Sequence, residues 1–453
     1  MDEMKKTLVF GAGISGAAAC SLLLRKGREA VLFDGNKELD QEVLKEKVKA
    51  YGADTAKLRI VTGELPDLSD ITLAVLSPGI PTDIPDVEAI RAKGIPIIGE
   101  VELAYRLGAG KVYAVTGTNG KTTTTVLTGE LMKAAHDKVD VVGNIGNPYT
   151  DAAYHQTEDS ITVAEISSFQ METADTFHPR AAVITNISED HLNRHYTMEN
   201  YVNCKKRIAA NQTEEDCLIL NYEDEVLRSF AAEAKAQVVF FSSARKLEKG
   251  LYLDGDRILF SDGTKEEEII RTGDLQIVGK HNYENVMAAV GIALFDGCDI
   301  QTIRQVLKEF KGVEHRIEFV GDFGGVKYYN DSKGTNPAAA IKGIQAMSGP
   351  TLLIAGGYDK HSVFDEWIEC FDGKVKRLVL IGQTKEQIAE AAVRLGFPKE
   401  HIIFCEDLKE AVAFCKKEAV PGDTVLLSPA CASWGQFDNY EQRGDMFKQF
   451  VKE

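Results

Sequence analysis

The stretch from Val112 to Thr124 constrains the fold of this chain more than any other part of the sequence. It begins with an apolar run, which predicts a buried parallel strand, and it continues into a helical pattern that reaches Leu131. Between the two lies a turn that contains Gly117 and Gly120, and Lys121 follows at once. Glycines let backbone N–H groups face an anion, and the helix N-terminus adds a positive dipole end. The stretch is therefore typical of a loop that binds nucleotide phosphates.

The side chains of this loop fit that chemistry, with one departure from the usual pattern. Lys121 can reach the β- and γ-phosphates, and the Thr122 hydroxyl can bind Mg²⁺. The usual pattern has a glycine five residues before Gly120, where this chain has Val115. The sequence therefore matches only the Gly-Lys-Thr part of the motif, between a predicted strand and a predicted helix. The alternative to phosphate binding is an ordinary turn between a strand and a helix. The expected nucleotide contacts are Gly117, Thr118, Asn119, Gly120, Lys121, Thr122 and Thr123.

Composition and charge argue against several classes of partner. A length of 453 residues suggests two to four domains, and 44% hydrophobic with 27% charged residues is ordinary for a globular protein. The net charge of −17 argues against nucleic acid and anionic membranes as partners. No apolar run approaches the roughly 18 residues of a membrane span. The eight cysteines show no CxxC pair or zinc spacing, so we expect free thiols in a reducing compartment. We also expect a cytoplasmic protein without membrane insertion, and a monomer.

A second glycine-rich turn lies near the start of the chain. The strand pattern Thr7–Phe10 is followed by Gly-Ala-Gly-Ile-Ser-Gly over residues 11–16, and a second strand pattern ends at Asp34. This arrangement fits a dinucleotide-binding turn, in which an acid follows the glycines by about 20 residues. Two interpretations stay open on these residues alone: a site for NAD, or a Rossmann-like cradle for the diphosphate of another nucleotide.

Polar residues follow two predicted strands after the phosphate loop. Glu165 comes directly after the apolar run 161–164, and His191 lies shortly after the run 181–185. Because ligands bind beyond the carboxyl ends of parallel strands, we expect both side chains near Lys121, where the Mg²⁺ of a bound nucleotide would lie. For either residue alone, an ordinary surface position is the alternative.

The remaining patterns complete an α/β organisation. Residues 218–272 alternate short apolar runs with Asp-Gly turns, which predicts a small antiparallel addition. Strong strand signals at 351–355, 377–381 and 424–427 have helical patterns between them, which indicates another doubly wound unit. The sequence therefore predicts an α/β protein of three domains, each with a mostly parallel doubly wound sheet. These are an N-terminal Rossmann-like domain over 1–98, a central P-loop ATPase-like domain over 99–312 and a C-terminal Rossmann-like domain over 313–453.

Motifs along the whole chain resemble those of the Mur ligases, a family that adds amino acids to the peptidoglycan precursor with ATP. The departure at Val115 also fits the phosphate loop of this family. The turn at 11–16 and the stretch Ser428–Phe437 resemble the branch that adds D-glutamate to UDP-N-acetylmuramoyl-L-alanine. The other matching blocks, in the family's order, are 116–122, 143–146, 165–170, 186–191, 281–285, 315–316 and 330–336.

The resemblance implies that the N-terminal domain holds UDP rather than NAD. Ile14 and Ser15 would meet the diphosphate, and the residues from Asp34 to Asn36 would lie near the uracil. Relatives often have threonine and arginine after that aspartate, where this chain has Gly35 and Asn36. The implied contacts with the UDP substrate are Gly13, Ile14, Ser15, Asp34, Gly35, Asn36, Ser77 and Asn144.

The resemblance also implies the reaction and its cofactors. The L-alanine carboxylate would attack the γ-phosphate of ATP, and the amine of D-glutamate would attack the acyl phosphate that forms. Two Mg²⁺ ions and a carbamylated Lys205 are expected. The implied catalytic residues are Lys121, Asn144, His191 and Lys205, and the implied metal ligands are Thr122, Glu165, His191 and Lys205.

The remaining implied contacts lie mostly in the last third of the chain. Relatives often carry phenylalanine at position 440, where this chain has tyrosine. The implied adenosine contacts are Asn285, Arg316 and Asp331, so that ATP would bridge two domains. The implied D-glutamate contacts are Lys333, Thr335, Lys360, Ser433, Trp434 and Tyr440.

Three other functions are weighed against this one. Another Mur-type ligase, or a ligase that adds glutamate to folate, would keep the ATP chemistry and change the amino-acid pocket. An NAD-linked oxidoreductase would use the turn at 11–16 but leaves the loop around Lys121 unexplained. A non-catalytic nucleotide-binding protein would not need Lys121, Glu165, His191 and Lys205 together.

Overall fold

The computed structural model describes residues 6–358 and 362–453. These form two compact units, one containing the chain up to residue 270 with residues 284–306, and the other containing 271–283 with 307–453. Three α/β domains with mostly parallel sheets were predicted, and the fold confirms this class. The boundaries at 98/99 and 312/313 stay predictions. Every helix in the described part of the chain is too short or too polar to cross a membrane.

The first sheet is parallel throughout its described strands, with the order β3-β2-β1-β4-β5. Its central strand is apolar and buried on both faces, as expected for a parallel sheet covered by helices. The carboxyl ends of β1, β2 and β4 therefore lie side by side. The elements are β1 (Lys6–Phe10), α1 (Ile14–Arg25), β2 (Glu29–Asp34), α2 (Gln41–Lys49), β3 (Leu58–Thr62), β4 (Ile71–Leu76), α3 (Pro85–Ala92) and β5 (Ile97–Gly99).

The second sheet is built around the strand that precedes the phosphate loop. The elements are α4 (Glu100–Leu107), β6 (Lys111–Thr116), α5 (Lys121–Ala135), β7 (Val139–Gly143), α6 (Tyr149–Ala152), β8 (Ile161–Glu165), α7 (Ser168–Met171), β9 (Ala181–Ile184), α8 (Leu192–His195), α9 (Met198–Lys206), β10 (Cys217–Asn221), α10 (Glu225–Ala231), β11 (Gln237–Ser242), β12 (Lys249–Asp254), β13 (Arg257–Asp262), β14 (Glu266–Arg271), α11 (Lys280–Asp296) and α12 (Ile300–Glu309). The strand order is β14-β13-β12-β11-β10-β9-β6-β8-β7. Strands β8 and β9 flank β6 and run parallel to it, so the three carboxyl ends meet at the phosphate loop.

The predicted antiparallel addition begins later than expected. Strands β10 and β11 fall in the predicted segment 218–272, but they continue the parallel sheet beside β9. Strand β10 is buried throughout, because it lies inside the sheet rather than at its edge. Strand β12 also runs parallel to β11, and the described antiparallel pairing in this segment joins β12 to β13. The prediction was therefore wrong for β10 and β11 and right for the hairpin at Gly255.

The third sheet has the order β15-β16-β20-β17-β18-β19. Strand β15 is antiparallel to β16, and the pairs from β16 to β19 are parallel. Because β16 and β20 are neighbours, the loops that follow them lie side by side. The elements are β15 (Glu318–Phe323), β16 (Val326–Asn330), α13 (Pro337–Ala346), β17 (Thr351–Ala355), α14 (Asp365–Glu369), β18 (Val375–Leu380), α15 (Lys385–Arg394), β19 (Ile402–Phe404), α16 (Leu408–Glu418), β20 (Thr424–Leu427) and α17 (Tyr440–Lys452).

A buried carboxylate on α4 holds the chain between α7 and β9. Glu102 is 1% exposed, and it accepts hydrogen bonds of 3.0 Å from the backbone N–H groups of Asp175, Thr176 and Phe177. Arg106 donates to the same carboxylate at 2.6 Å. Burial alone would raise the pKa of Glu102, but the hydrogen bonds, led by that from the Thr176 hydroxyl, outweigh it and lower the pKa. The ionised carboxylate therefore stabilises the fold.

We expect Glu102→Gln to lower the free energy of unfolding at neutral pH by about 2 kcal/mol, because several hydrogen bonds to a charged acceptor are weakened. Since the pKa of Glu102 is lowered in the folded state, its stabilisation is complete above its ordinary pKa and is lost as pH falls through the folded value. The stability difference between the variant and the unmutated protein should therefore shrink in acid. Urea unfolding at several pH values measures this, with the exposed Glu158→Gln as control. A difference that is independent of pH would contradict it.

Candidate active site

The phosphate loop between β6 and α5 accepts only glycine at two positions. Gly117 has a φ of +142° and Gly120 a φ of +84°. A Cβ atom at Gly117 would lie 1.9 Å from Thr185 Oγ1, and one at Gly120 would lie 2.2 Å from Asn285 Oδ1. The loop backbone therefore packs directly against its neighbours and leaves the start of α5 without a side-chain cap. The unpaired N–H groups of a helix N-terminus can then receive an anion.

The segment after β9 fixes the shape of this loop. The Thr118 N–H donates to Asn186 O at 2.9 Å, and the Asn119 N–H donates to Asn186 Oδ1 at 2.9 Å. The Ser188 N–H donates to Thr118 Oγ1 at 3.0 Å, and the hydroxyls of Thr118 and Tyr201 share a hydrogen bond of 2.9 Å. The loop is thus held in place by protein contacts, so that little ordering remains to be done when a ligand binds.

Two lysines donate to the same carbonyl oxygen in this loop. Lys121 Nζ lies 3.0 Å from Gly117 O and 2.9 Å from Thr118 O, and Lys205 Nζ lies 2.7 Å from Gly117 O. Lys205 is 2% exposed, and its ammonium lies 4.7 Å from the centre of the Tyr201 ring. Burial, followed by the charge of Lys121, lowers the pKa of Lys205 to about 7. Burial therefore favours the uncharged amine of Lys205 far more than it is favoured in a surface lysine.

The carboxylate of Glu165 has a buried oxygen that is suited to a cation. Glu165 ends β8 and is 1% exposed. Its Oε1 accepts a hydrogen bond of 2.9 Å from Asn144 Nδ2, and its backbone carbonyl accepts one of 2.8 Å from the Asn144 N–H. Its Oε2 has no hydrogen-bond partner among the described residues. Leaving such an oxygen unpaired costs about 1–3 kcal/mol, so a hard cation such as Mg²⁺ fits this position.

The segment that carries His191 also faces the phosphate loop. His191 lies directly before α8 with a φ of +53°, and its side chain is 49% exposed. Its ring centre lies 4.8 Å from that of Phe169. The neighbouring Asp190 raises the pKa of Lys205, and so does Glu165, although both effects are smaller than that of burial. Lys205 therefore lies within electrostatic reach of both strand ends, as the order of the strands predicts.

The first turn of α5 carries the other predicted nucleotide contacts. Thr122 is half-buried and Thr123 is buried. Thr124 Oγ1 donates to Asn285 Oδ1 at 3.3 Å, which places the predicted adenosine contact Asn285 beside the loop. The structure thus brings together most of the predicted residues of the central domain, which are Gly117 to Thr123, Asn144, Glu165, Lys205 and Asn285. The segment that carries His191 borders the loop, while the His191 ring packs on Phe169.

The predicted UDP contacts share the carboxyl edge of the first sheet. Ser77 Oγ donates to Gly11 O at 3.0 Å. The Ala12 N–H donates to Asp34 Oδ2 at 2.9 Å, and the Asn36 N–H donates to Asp34 Oδ1 at 3.0 Å. Asp34 Oδ2 therefore braces the glycine-rich turn, while Oδ1 holds the residues that directly follow β2. Gly13 directly precedes α1 and Gly35 follows β2, while Ile14, 71% exposed, and Ser15 begin α1.

The predicted amino-acid contacts of the second unit lie on the neighbouring loops after β16 and β20. Lys333 and Thr335 follow β16, while Ser433 and Trp434 follow β20. Lys333 Nζ lies 5.4 Å from the centre of the Tyr440 ring. Ser433 is buried, whereas Trp434 is exposed and its ring centre lies 5.6 Å from that of Tyr358. The predicted contact Lys360 lies outside the described residues.

The predicted nucleoside contact Asp331 is held firmly within the second unit. Its Oδ2 accepts a hydrogen bond of 2.7 Å from Ser428 Oγ, and its Oδ1 accepts one of 3.3 Å from the Ile317 N–H. Burial raises the pKa of Asp331 to about 7, although Ser428 and the charge of Arg316 act in the opposite direction. Arg316 therefore lies within electrostatic reach of Asp331, the other predicted adenosine contact of this unit.

Two residues that contact the predicted site residues, Tyr201 and Arg443, were not predicted from the sequence. Tyr201 stands four residues before Lys205 on α9, and this spacing places both on one helix face. The contact between them was therefore predictable from the sequence. Arg443, which binds the loops after β16 and β20, had no signal in the sequence, because its partners are distant in the chain.

Models of one family cover most of the chain. The Mur ligase MurD-like N-terminal domain matches residues 5–99, the Mur ligase middle domain matches 115–293, and the Mur ligase glutamate ligase domain matches 315–431. The chain belongs to the Mur ligase family, and the resemblance stated from the motifs is confirmed.

Two individual proteins of known name match this chain over almost its whole length. A protein of Lachnoclostridium phytofermentans is 52% identical over 447 residues, which cover 99% of this chain and 98% of the relative. One of Lachnospira eligens is 52% identical over 452 residues, which cover 100% of this chain and 99% of the relative. Both are named UDP-N-acetylmuramoylalanine–D-glutamate ligase.

Solved structures share the fold at low sequence identity. The UDP-N-acetylmuramate–alanine ligase MurC of Thermotoga maritima has a TM-score of 0.59 at 19% identity, with 99% of each chain covered. The MurF ligase of Thermotoga maritima in complex with ADP has a TM-score of 0.57 at 16% identity, with 100% of this chain and 99% of that chain covered. These likenesses show that the fold is that of Mur ligases.

We expect Lys121→Ala to abolish phosphoryl transfer, since the loop loses the cation that is predicted to face the phosphates. The cost should be at least about 3 kcal/mol of transition-state stabilisation, as for the loss of one preorganised donor. Phosphate release from ATP measures this. Lys133→Ala is the matched control, because that lysine lies on the same helix and pairs with Glu130 at 2.9 Å. Equal rates for Lys121→Ala and the unmutated enzyme would contradict the assignment.

Proposed function

We propose that this chain is the ATP-dependent ligase that joins D-glutamate to UDP-N-acetylmuramoyl-L-alanine during synthesis of the peptidoglycan precursor. The observation that carries the proposal is that Lys121 and Lys205 both donate hydrogen bonds to the Gly117 carbonyl oxygen, in a chain of the Mur ligase family. The full-length identity to ligases named for D-glutamate supports the choice of amino acid. We also infer that the enzyme acts in the cytoplasm as a monomer.

The proposed reaction has two steps. A carboxylate oxygen of the L-alanine group forms a bond to the γ-phosphorus of ATP, and the bond from that phosphorus to the β-phosphate oxygen breaks to release ADP. The amine of D-glutamate then attacks the acyl carbon, the bond to the phosphate oxygen breaks, and the nitrogen loses a proton. The anionic carboxylate and triphosphate repel each other, so the protein must supply positive charge and hold the groups in line.

The phosphate loop supplies much of this positive charge. Lys121 begins α5, and its ammonium is held against the carbonyl groups of Gly117 and Thr118. From there it would turn to the γ-phosphoryl group, while the uncapped N-terminus of α5 would bind the phosphate oxygens. Asn144 would position the acceptor carboxylate, since its side chain and backbone are already tied to Glu165.

We infer that Thr122, Glu165, His191 and Lys205 hold two Mg²⁺ ions. When bound, these ions would neutralise charge on the γ-phosphoryl group and the acceptor carboxylate. The buried, unpaired Oε2 of Glu165 fits such an ion, whereas Lys205 fits only after its charge changes. The amine of Lys205 would attack CO₂, forming an N–C bond and losing a proton, and the resulting carbamate offers anionic oxygens. Its remaining N–H could still donate to Gly117 O.

The other substrate contacts are proposed at the sheet edges described above. The UDP group would lie on the turn braced by Asp34, with Ser77 beside it. Asn285, Arg316 and Asp331 would hold the adenosine. Lys333, Thr335, Lys360, Ser433 and Tyr440 would hold the two carboxylates of D-glutamate, with Trp434 at the margin.

The function is tested by phosphate release from ATP–Mg²⁺ in the presence of UDP-N-acetylmuramoyl-L-alanine. D-glutamate, L-glutamate, L-lysine and meso-diaminopimelate are offered in parallel. We expect release with D-glutamate alone. Release with another amino acid instead would preserve the ATP chemistry and overturn the assignments in the second unit. No release with any of them would remove the proposed function.

The carbamate is tested by replacing Lys205. We expect Lys205→Ala to be inactive and to recover partly when short carboxylates are added, because these replace the lost oxygen ligands. Lys206→Ala is the control, since that neighbour pairs with Glu233 at 3.2 Å and should keep full activity. A fully active Lys205→Ala enzyme would remove the carbamate from the account.

A further inference from the structure

The first turns of α17 place a guanidinium in the interior of the second unit. The side chain of Arg443 is 0% exposed. Its Nε donates to Ser332 Oγ at 3.0 Å, and its Nη2 donates to Ser332 O at 2.8 Å. Both Nη atoms lie 3.3 Å from Cys431 O. The planar fork of the guanidinium thus binds two segments that are about a hundred residues apart in sequence.

These two segments carry the proposed contacts with D-glutamate. Ser332 immediately precedes Lys333 on the loop after β16, and Thr335 lies on the same loop. Cys431 stands two residues before Ser433 on the loop after β20. Because β16 and β20 are adjacent parallel strands, the loops already lie side by side, and Arg443 joins them at one point.

The burial of this cation calls for an explanation beyond packing. Burying a guanidinium is costly, and hydrophobic groups of equal volume are often at least as stabilising. Burial lowers the pKa of Arg443 to about 10, so the group remains charged at neutral pH. Its hydrogen-bond acceptors on Ser332 and Cys431 are uncharged, while the carboxylate of Asp331 interacts with the guanidinium charge through space. The hydrogen bonds of Arg443 to both loops therefore point to a role in holding these loops together.

Neighbouring contacts keep α17 against the first of these loops. Ser332 Oγ, while accepting from Arg443, donates to Tyr440 O at 2.8 Å. A Cβ atom at Gly444 would lie 2.1 Å from His315 Nδ1, so glycine is needed for this close approach of the helix. The geometry fixes Tyr440, whose ring faces the Lys333 ammonium at 5.4 Å.

We propose that Arg443 is a positioning residue for the D-glutamate site, which it serves by locking the loops of Lys333 and Ser433 together. This inference rests on the proposed function. We expect the effect on amino-acid binding to exceed that on nucleotide binding, because Asp331 interacts with the charge of Arg443 but has its own hydrogen bonds. The Asp331 N–H donates to Leu427 O at 2.7 Å, and its carboxylate is held by Ser428.

The test compares the KM values for D-glutamate and for ATP in Arg443→Lys and Ser332→Ala. We expect Arg443→Lys to raise the KM for D-glutamate about tenfold or more, while the KM for ATP changes by less than about threefold. Ser332→Ala removes one acceptor of the fork and should raise the KM for D-glutamate in the same direction, by a smaller factor. Circular dichroism and thermal unfolding establish that each variant is folded.

Arg377→Gln is the matched control. Arg377 lies near the start of β18, at the opposite end of the strands from the loops, and it pairs with Glu418 at 2.7 Å. Its loss should lower stability without moving the KM for D-glutamate.

Each outcome decides the inference. An unchanged KM for D-glutamate in folded Arg443→Lys, or equal rises in the KM values for both substrates, would overturn it, because a purely structural residue would behave so. If Arg443→Lys does not fold, Ser332→Ala decides: a selective rise supports the inference, and an unchanged KM overturns it. Failure of the unmutated enzyme to use D-glutamate would be a failure of the proposed function instead.

Discussion

The carbonyl oxygen of Gly117 accepts hydrogen bonds from two lysine ammonium groups, and the geometry of the central site depends on this shared acceptor. Lys121 comes from the start of α5 and Lys205 from α9, so one oxygen links the phosphate loop to a helix far along the chain. Two cations this close repel each other, and burial adds to the cost of the charge on Lys205. An anion bound at the loop, or the loss of the charge on one lysine, would relieve this repulsion. The proposed reaction provides the anion as ATP and removes the charge of Lys205 by carbamylation.

Local positive charge explains how a chain with a net charge of −17 can bind anionic substrates. A few positive groups lie where anions are proposed to bind, so the local charge there differs from the charge of the whole chain. Lys121 is proposed to face the triphosphate, and Lys333 is proposed to face the dicarboxylate on loops that Arg443 holds together. Water is largely excluded from Lys205 and Arg443, so their electrostatic effect is less screened than that of surface charges. Local burial therefore matters more here than overall charge.

The placement of strand ends was predictable from the sequence, because parallel strands buried on both faces are read as uninterrupted apolar runs. Glu165 and His191 were predicted near Lys121 for this reason, and β8 and β9 do flank β6. The direction of β10 and β11 was not predictable, because short apolar runs separated by turns suit either pairing. Hydrogen bonds between distant segments, such as those of Arg443, leave no periodic signal in the sequence.

Burial, too, could not be read from residue types. Lys205 and Lys206 are adjacent lysines of one helix, yet the first is 2% exposed while the second reaches Glu233 at the surface. Only the fold decides which of the two faces the loop. The family resemblance singled out Lys205, and the structure supplies the physical reason: it is the lysine whose ammonium is desolvated beside another cation.

The proposed enzyme activates a carboxylate by forming an acyl phosphate, and an oxygen-18 label in that carboxylate reveals whether this intermediate forms. The L-alanine carboxylate of the UDP substrate is labelled with oxygen-18, the reaction is run with ATP and D-glutamate, and the released phosphate is analysed by mass spectrometry. We expect each phosphate released to carry a single oxygen-18 atom, because the bridging oxygen of the acyl phosphate leaves with the phosphorus. Unlabelled phosphate, released while the amide forms, would contradict it.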